Sequence, residues 1–255
     1  MSWPYLDAPA PIALAHRGGL EDGPENTMRA FAGAVRRGYR YLETDVHATA
    51  DGVLLAFHDD RLDRVADRTG VIADLPYSEV RRARVDGEPV PLLEDLLAAW
   101  PDVRINIDIK APNAIERLVE TLDRTGARDR VCVGSFSQAR LTRFRRLTHG
   151  RVCTSLGPME VAALRVASYL PGRLPIPIRG AVAQVPVAGQ LPVVGRLPIV
   201  DRRFLEDAHR RGVLVHVWTI NEPDEMRRLL DLGVDGLITD RPSLLKSVLE
   251  QRAWW

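Results

Sequence analysis

The sequence predicts an α/β fold, a (β/α)₈ TIM barrel, on three observations. Short β-rich runs alternate with amphipathic stretches from end to end, which implies a parallel sheet. Eight such runs fit within 255 residues, the usual size of one closed barrel. Several helical stretches close on glycine just before the next strand, as in RRGYRYLE, RRGVLVHV and LLDLGVDGLI, where a left-handed cap ends the helix.

In order, the candidate strands are residues 12–15, 39–46, 103–109, 131–135, 152–155, 181–185, 213–218 and 234–239. Helical stretches lie between them at 27–37, 114–125, 138–147, 202–211 and 224–232. The chain reads as one domain over 1–255, with the barrel core at 12–245. Two regions break the rhythm. Residues 53–91 form a charged excursion with an extra strand at 53–57 and a short helix near 77–83. Residues 169–200 carry Pro171, Pro175, Pro177, Pro186, Pro192 and Pro198, which forbid a continuous helix. A loop after a barrel strand lies on the catalytic face, so 186–200 should overhang the site.

Apolar residues make up 45% of the chain and charged residues 27%, values of a globular protein with a real core. The net charge of +1 excludes a basic nucleic-acid footprint. No run of about 18 apolar residues could span a membrane. The amino terminus lacks a cationic start and long apolar stretch, so a cytoplasmic location is expected. Cys132 and Cys153 sit in β-branched runs and read as buried free thiols. Among 35 basic residues only Lys110 and Lys246 are lysine, so each is a candidate for work arginine cannot do.

Functional groups of a barrel enzyme belong at the carboxyl ends of its strands. The first strand, IALA, runs into His16 and Arg17, a proton carrier beside a guanidinium fork suited to phosphate. In the second strand Glu43 and Asp45 are two apart and share a side, where a hard divalent ion would relieve their repulsion. In Ile105-Asn106-Ile107-Asp108-Ile109-Lys110 the isoleucines should face the helices while Asn106, Asp108 and Lys110 point inward. Asp108 is a third candidate ligand and Lys110 a candidate phosphate contact; a mutual Asp–Lys pair is the alternative. His58 follows the extra strand, and two histidines near a phosphodiester would supply a base and an acid. Trp218 closes the seventh strand, either lining the pocket or plugging the barrel top. His47, His149, His209 and His216 read as structural or exposed, and Trp254-Trp255 as a frayed end or a segment docked on the barrel.

The motifs HRG at 16–18, PENT at 24–27, E-T-D-V at 43–46, D-G at 51–52, H-D at 58–59, I-D-I-K at 107–110 and V-W-T-I-N at 217–221 follow one another in that order. This series, with DGLITDRP at 235–242, closely resembles the glycerophosphodiester phosphodiesterase family, over about Ile12 to Pro242. The resemblance implies a compact bacterial-type enzyme with His16 and His58 as the acid/base pair and Arg17 holding the phosphate. It also implies that Glu43 and Asp45 bind one divalent cation, Mg²⁺ or Ca²⁺. Asp108, standing where the family more often has glutamate, would be a further ligand, with Lys110 beside it. The expected reaction releases glycerol 3-phosphate and an alcohol. Rival readings are hydrolysis of lysophospholipids on the same site, with 186–200 as a lip for an acyl chain and peripheral membrane contact, and a non-catalytic phospholipid-binding barrel.

Overall fold

Alternation within single strands decides which way each side chain points, and RINIDI shows it. Ile105, Ile107 and Ile109 are fully buried against the surrounding helices, while Asn106 and Asp108 between them face the barrel axis. The computed structural model describes residues 3–170, 175–191 and 195–255, so Pro171 and Pro192 lie outside the described residues.

The barrel strands are β1 (Ile12–Ala15), β2 (Tyr41–Ala48), β6 (Arg104–Ile109), β7 (Val131–Gly134), β8 (Cys153–Thr154), β9 (Val182–Pro186), β12 (Leu214–Trp218) and β13 (Gly236–Thr239). They pair in parallel in the order β8-β7-β6-β2-β1-β13-β12-β9. Closure between β8 and β9 rests on a Ser155–Val182 bridge, where the Leu156 N–H donates to the Val182 carbonyl at 2.8 Å. The eight-stranded barrel expected from the sequence is therefore present, nearly closed. The remaining strands decorate it. β3 (Leu54–Ala56) pairs antiparallel with β2, β4 (Arg84–Val85) with β5 (Glu88–Pro89), and β10 (Ala188–Leu191) with β11 (Gly195–Pro198).

The outer helices are α1 (Met28–Arg36), α2 (Tyr77–Val80), α3 (Leu93–Ala99), α4 (Ala114–Thr125), α5 (Gln138–Leu147), α6 (Pro158–Ala167), α7 (Arg202–Arg210), α8 (Pro223–Leu232) and α9 (Pro242–Glu250). Thr27, Ser137 and Asp201 cap α1, α5 and α7 by accepting backbone N–H groups, the local signal that starts each helix. Gly38, Gly212 and Gly233 follow α1, α7 and α8 in the left-handed region, as the glycine pattern predicts, and Gly126 ends α4 the same way. Helices α3, α6 and α9 go beyond the elements read from sequence. α6 lacks the charged stripe that marks an amphipathic helix, because its body, VAAL, is apolar all round.

The lower end of the barrel is apolar. Tyr5, Ile12, Leu14, Cys132, Cys153 and Ile238 pack together there, and the two cysteines are free thiols. Tyr5 enters from the amino-terminal segment, edge-on to Tyr41 with ring centroids 5.3 Å apart, and the Tyr41 hydroxyl donates to its carbonyl. Beside this layer, across Gly236 from Ile12, His216 is fully buried with no hydrogen-bond partner on either ring nitrogen, and burial pushes its pKa down to about 3. The cluster of buried carboxylates gathers at the upper end.

Candidate active site

The turn after β1 is the tightest point of the site. Arg17 adopts a left-handed backbone at φ 50°, and Gly18 follows at φ 86°. A Cβ on Gly18 would lie 2.8 Å from the backbone nitrogen of Phe31, so the turn can press onto α1 only with glycine there. A left-handed arginine costs about 1–2 kcal/mol. Its backbone offsets this by donating N–H to Glu43 Oε2 at 3.1 Å and accepting from Asn26 N–H at 2.9 Å. The turn thereby holds His16 and Arg17 over the barrel mouth.

Strand register assembles the rest. Glu43 and Asp45 of β2 stand opposite Asn106 and Asp108 of β6, giving four buried polar side chains in two adjoining rows. Lys110 Nζ bridges two of them, 2.6 Å from Asp108 Oδ2 and 2.9 Å from Asp45 Oδ1. Asp45 Oδ2 also meets Arg17 Nε at 3.1 Å and accepts from Asn26 Nδ2 at 3.1 Å. Burial alone would raise the Asp45 pKa, but Lys110 and Arg17 outweigh it and hold the carboxyl below its usual range. Glu43 has weaker help. Burial and the nearby Asp45 push it up to about 7. Burial likewise raises Asp108 despite its contact with Lys110.

Each of the two candidate histidines has a carboxylate on Nδ1. His16 Nδ1 lies 2.6 Å from Asp240 Oδ1, and Asp240 Oδ2 accepts from Asn221 Nδ2 at 2.8 Å. Burial opposes charge on His16, yet Glu43 and Asp240 together raise its pKa above the ordinary value. His58 Nδ1 lies 2.5 Å from Asp59 Oδ1. Arg64 clamps Asp59 and also grips Glu25, which accepts from Arg17 at 3.0 Å. A carboxylate only accepts, so Nδ1 carries the hydrogen in both rings and Nε2 is left for the substrate. His47, read as structural, is buried and spans to the His58 carbonyl at 3.0 Å.

His16, Arg17, Glu43, Asp45, His58, Asp108 and Lys110 all line one cavity of about 690 Å³. Its other half is apolar and includes Leu156, Val161 and Val166 on one side and Pro186, Pro198 and Ile199 on the other. Trp218 also lines it, edge-on to Phe136 with ring centroids 5.6 Å apart. Residues of the stretch expected to overhang the site thus form the β10–β11 hairpin at its edge.

Among the described residues, no group of three or more His, Cys, Asp or Glu side chains stands ready to hold a metal ion. Lys110 bridges Asp45 and Asp108, which realises the Asp–Lys pairing that was the alternative for these residues. The donor set nevertheless fits a hard divalent cation. It is all oxygen, and Asp108 Oδ1 is a buried acceptor with no hydrogen-bond partner.

The family model for the glycerophosphoryl diester phosphodiesterase family matches residues 16–244. A Mycobacterium tuberculosis protein named probable glycerophosphodiester phosphodiesterase 2 is 42% identical over 260 residues, covering 96% of this chain and 92% of its own. The chain belongs to the glycerophosphoryl diester phosphodiesterase family. It is accordingly a phosphoric diester hydrolase. A human member named lysophospholipase D GDPD1 is 28% identical over 269 residues, covering 92% of this chain and 85% of its own. In fold, the chain is similar to an Oleispira antarctica phosphodiesterase solved with sn-glycerol-3-phosphate as product, at TM-score 0.78 and 22% identity, covering 94% and 97% of the two chains.

Several members of this family site escaped the sequence reading. Asp240 follows β13 just as His16 follows β1, and the register pairing Ala15 with Thr239 makes them neighbours. The rule that placed His16 at a strand end places Asp240 too. Asn26 and Glu25 come from the PENT turn, whose role depends on a fold-back that no local periodicity shows.

Proposed function

We propose that the chain hydrolyses glycerophosphodiesters to glycerol 3-phosphate and an alcohol in a divalent cation-dependent reaction, with His16 and His58 moving the protons. The observation that carries this is the pair of imidazoles, each with a carboxylate on Nδ1, lining one cavity with Glu43, Asp45 and Asp108. Arg17 and Lys110 bring positive charge to the phosphate, where negative charge grows in the transition state. His16 Nε2 takes a proton from the attacking water, whose oxygen bonds to phosphorus. As the phosphorus–oxygen bond to the alcohol breaks, His58 Nε2 returns a proton to the departing oxygen. Asp240 and Asp59 hold the rings in the tautomer this exchange needs. Glu43, Asp45 and Asp108 would hold the cation, Mg²⁺ or Ca²⁺, which supplies Lewis-acid neutralisation of the phosphate charge when bound. A substrate panel with Mg²⁺, Ca²⁺ and EDTA, reading glycerol 3-phosphate, tests the proposal. Release that EDTA leaves untouched would overturn the metal requirement.

A second reading has its own support, the apolar half of the cavity formed by Val161, Val166, Pro198 and Ile199. A lysophospholipid could place its phosphodiester on the polar half and its acyl chain along this wall. Turnover of lysophosphatidylcholine compared with glycerophosphocholine decides between the two. A higher kcat/KM for the lysolipid favours the second reading.

A further inference from the structure

Helix α6 turns apolar residues outward, the reverse of a barrel's outer helix. Its charged side chains are both engaged. Glu160 is buried, pairs with Arg145 at 2.9 Å and accepts the backbone N–H groups of Gly157 and Arg179. Arg165 pairs with Asp201 at 2.7 Å. Solvent instead meets Met159 at 68% exposure and Val166 at 62%, and just past the helix Tyr169 at 55% and Leu170 at 45%. Phe136, 64% exposed, lines the same cavity as Val166 and Tyr169. Of the eight large apolar side chains exposed among the described residues, five therefore belong to this rim, so it is a patch and not scatter.

Its flank is cationic. Arg202 and Arg203 are exposed at the start of α7, and the Arg203 guanidinium lies 6.0 Å from the Tyr169 ring centroid. The Arg165 guanidinium lies 4.3 Å from the same ring. The carboxylates Glu160 and Asp201 are already paired with arginines, and the exposed Glu206 lies one helical turn further along α7. Apolar side chains with an amphipathic tyrosine and an arginine border match the boundary of a lipid layer bearing anionic headgroups. A twofold contact between two copies would instead bring these arginines toward their own images.

We propose that the face formed by Phe136, Met159, Val166, Tyr169 and Leu170, flanked by Arg202 and Arg203, docks on an anionic lipid surface. The catalytic cavity opens along this face, so a lipid-derived phosphodiester enters it without crossing bulk water. The proposal stands apart from the choice of substrate, since docking is read without turnover.

The test is flotation of the full chain with phosphatidylcholine vesicles, with and without phosphatidylglycerol, at low and high salt. The chain should partition onto the phosphatidylglycerol vesicles, and salt should weaken the partition. The double variant Met159→Glu/Leu170→Glu, whose side chains lie outside the cavity lining, should partition about tenfold less. The variant Arg202→Glu/Arg203→Glu should lose most of its preference for the anionic vesicles. Glycerophosphocholine turnover and the melting temperature should match wild type in both, showing that the fold is intact. Absence of partition, or partition unchanged in both variants, overturns the proposal. So does a wild-type dimer on size exclusion that Met159→Glu/Leu170→Glu converts to monomer, because the face then belongs to a second copy. Vesicle binding without any turnover would uphold the docking and sink the function proposed above.

Discussion

The two halves of the barrel mouth are built on opposite principles. On the side of β1, β2 and β6, every strand end carries charge, and each charge is tied to another by ion pairs and hydrogen bonds. On the side of β8, β9 and α6, the wall is mostly aliphatic, built on Leu156, Val161, Val166 and Ile199, with Arg165 and Gln184 among its few polar members. Pre-arranged charges suit a reacting phosphate because they need no reorganisation as charge develops. An apolar wall distinguishes only size and hydrophobicity, so it selects among the alcohols or chains attached to that phosphate. Under the proposed function, chemistry lies on one half and selectivity on the other.

Substitutions on the two halves should therefore separate by kinetic signature. The largest effect is expected from His16→Ala, which should lower kcat about 10³-fold for every substrate alike. A loss confined to one substrate would break the division. Next comes Asp240→Ala, expected to lower kcat about 10²-fold with little change in KM, since Asp240 acts through the His16 ring and not on the substrate. A change in KM alone would assign Asp240 to binding. On the apolar half, Val161→Asp should raise KM for lysophosphatidylcholine about tenfold while leaving glycerophosphocholine turnover unchanged. Equal losses on both substrates would show that the two halves are not independent.

Beneath both halves, His216 should have the smallest effect on turnover, and its own effect appears as a stability profile. Its pKa is pushed down to about 3 in the folded chain, against about 6.5 when unfolded, so between those values the unfolded chain binds the extra proton. Stability should accordingly rise with pH through that window, by up to about 1.4 kcal/mol per pH unit from this group, and His216→Leu should flatten the slope in denaturant titrations. An unchanged slope would show that the ring finds a partner in solution.

The same contrast explains what the sequence revealed. Charged residues at period two inside apolar strands are costly unless paired, so Glu43, Asp45, Asp108 and Lys110 announce themselves by parity. His16 and His58 are legible because they end strands. Of the apolar half, only the stretch 186–200 left a trace, as a segment overhanging the site. α6 is built from residues common in any core, and its proline-rich surroundings read as a break. Its position on the cavity comes from tertiary placement. Asp108 was legible as a buried acid with a pairing to Lys110 as its alternative, but the reach of Lys110 across to Asp45 on the neighbouring strand was not.

The hairpin of β10 and β11 forms its own two-stranded sheet between β9 and α7, outside the barrel's ladder of strand pairs. Exchange of this appendage as a cassette would leave in place the strand register that sets Glu43 and Asp45 beside Asn106 and Asp108. In such an architecture a lineage can acquire new preferences by rewriting one appendage, without re-evolving the reaction.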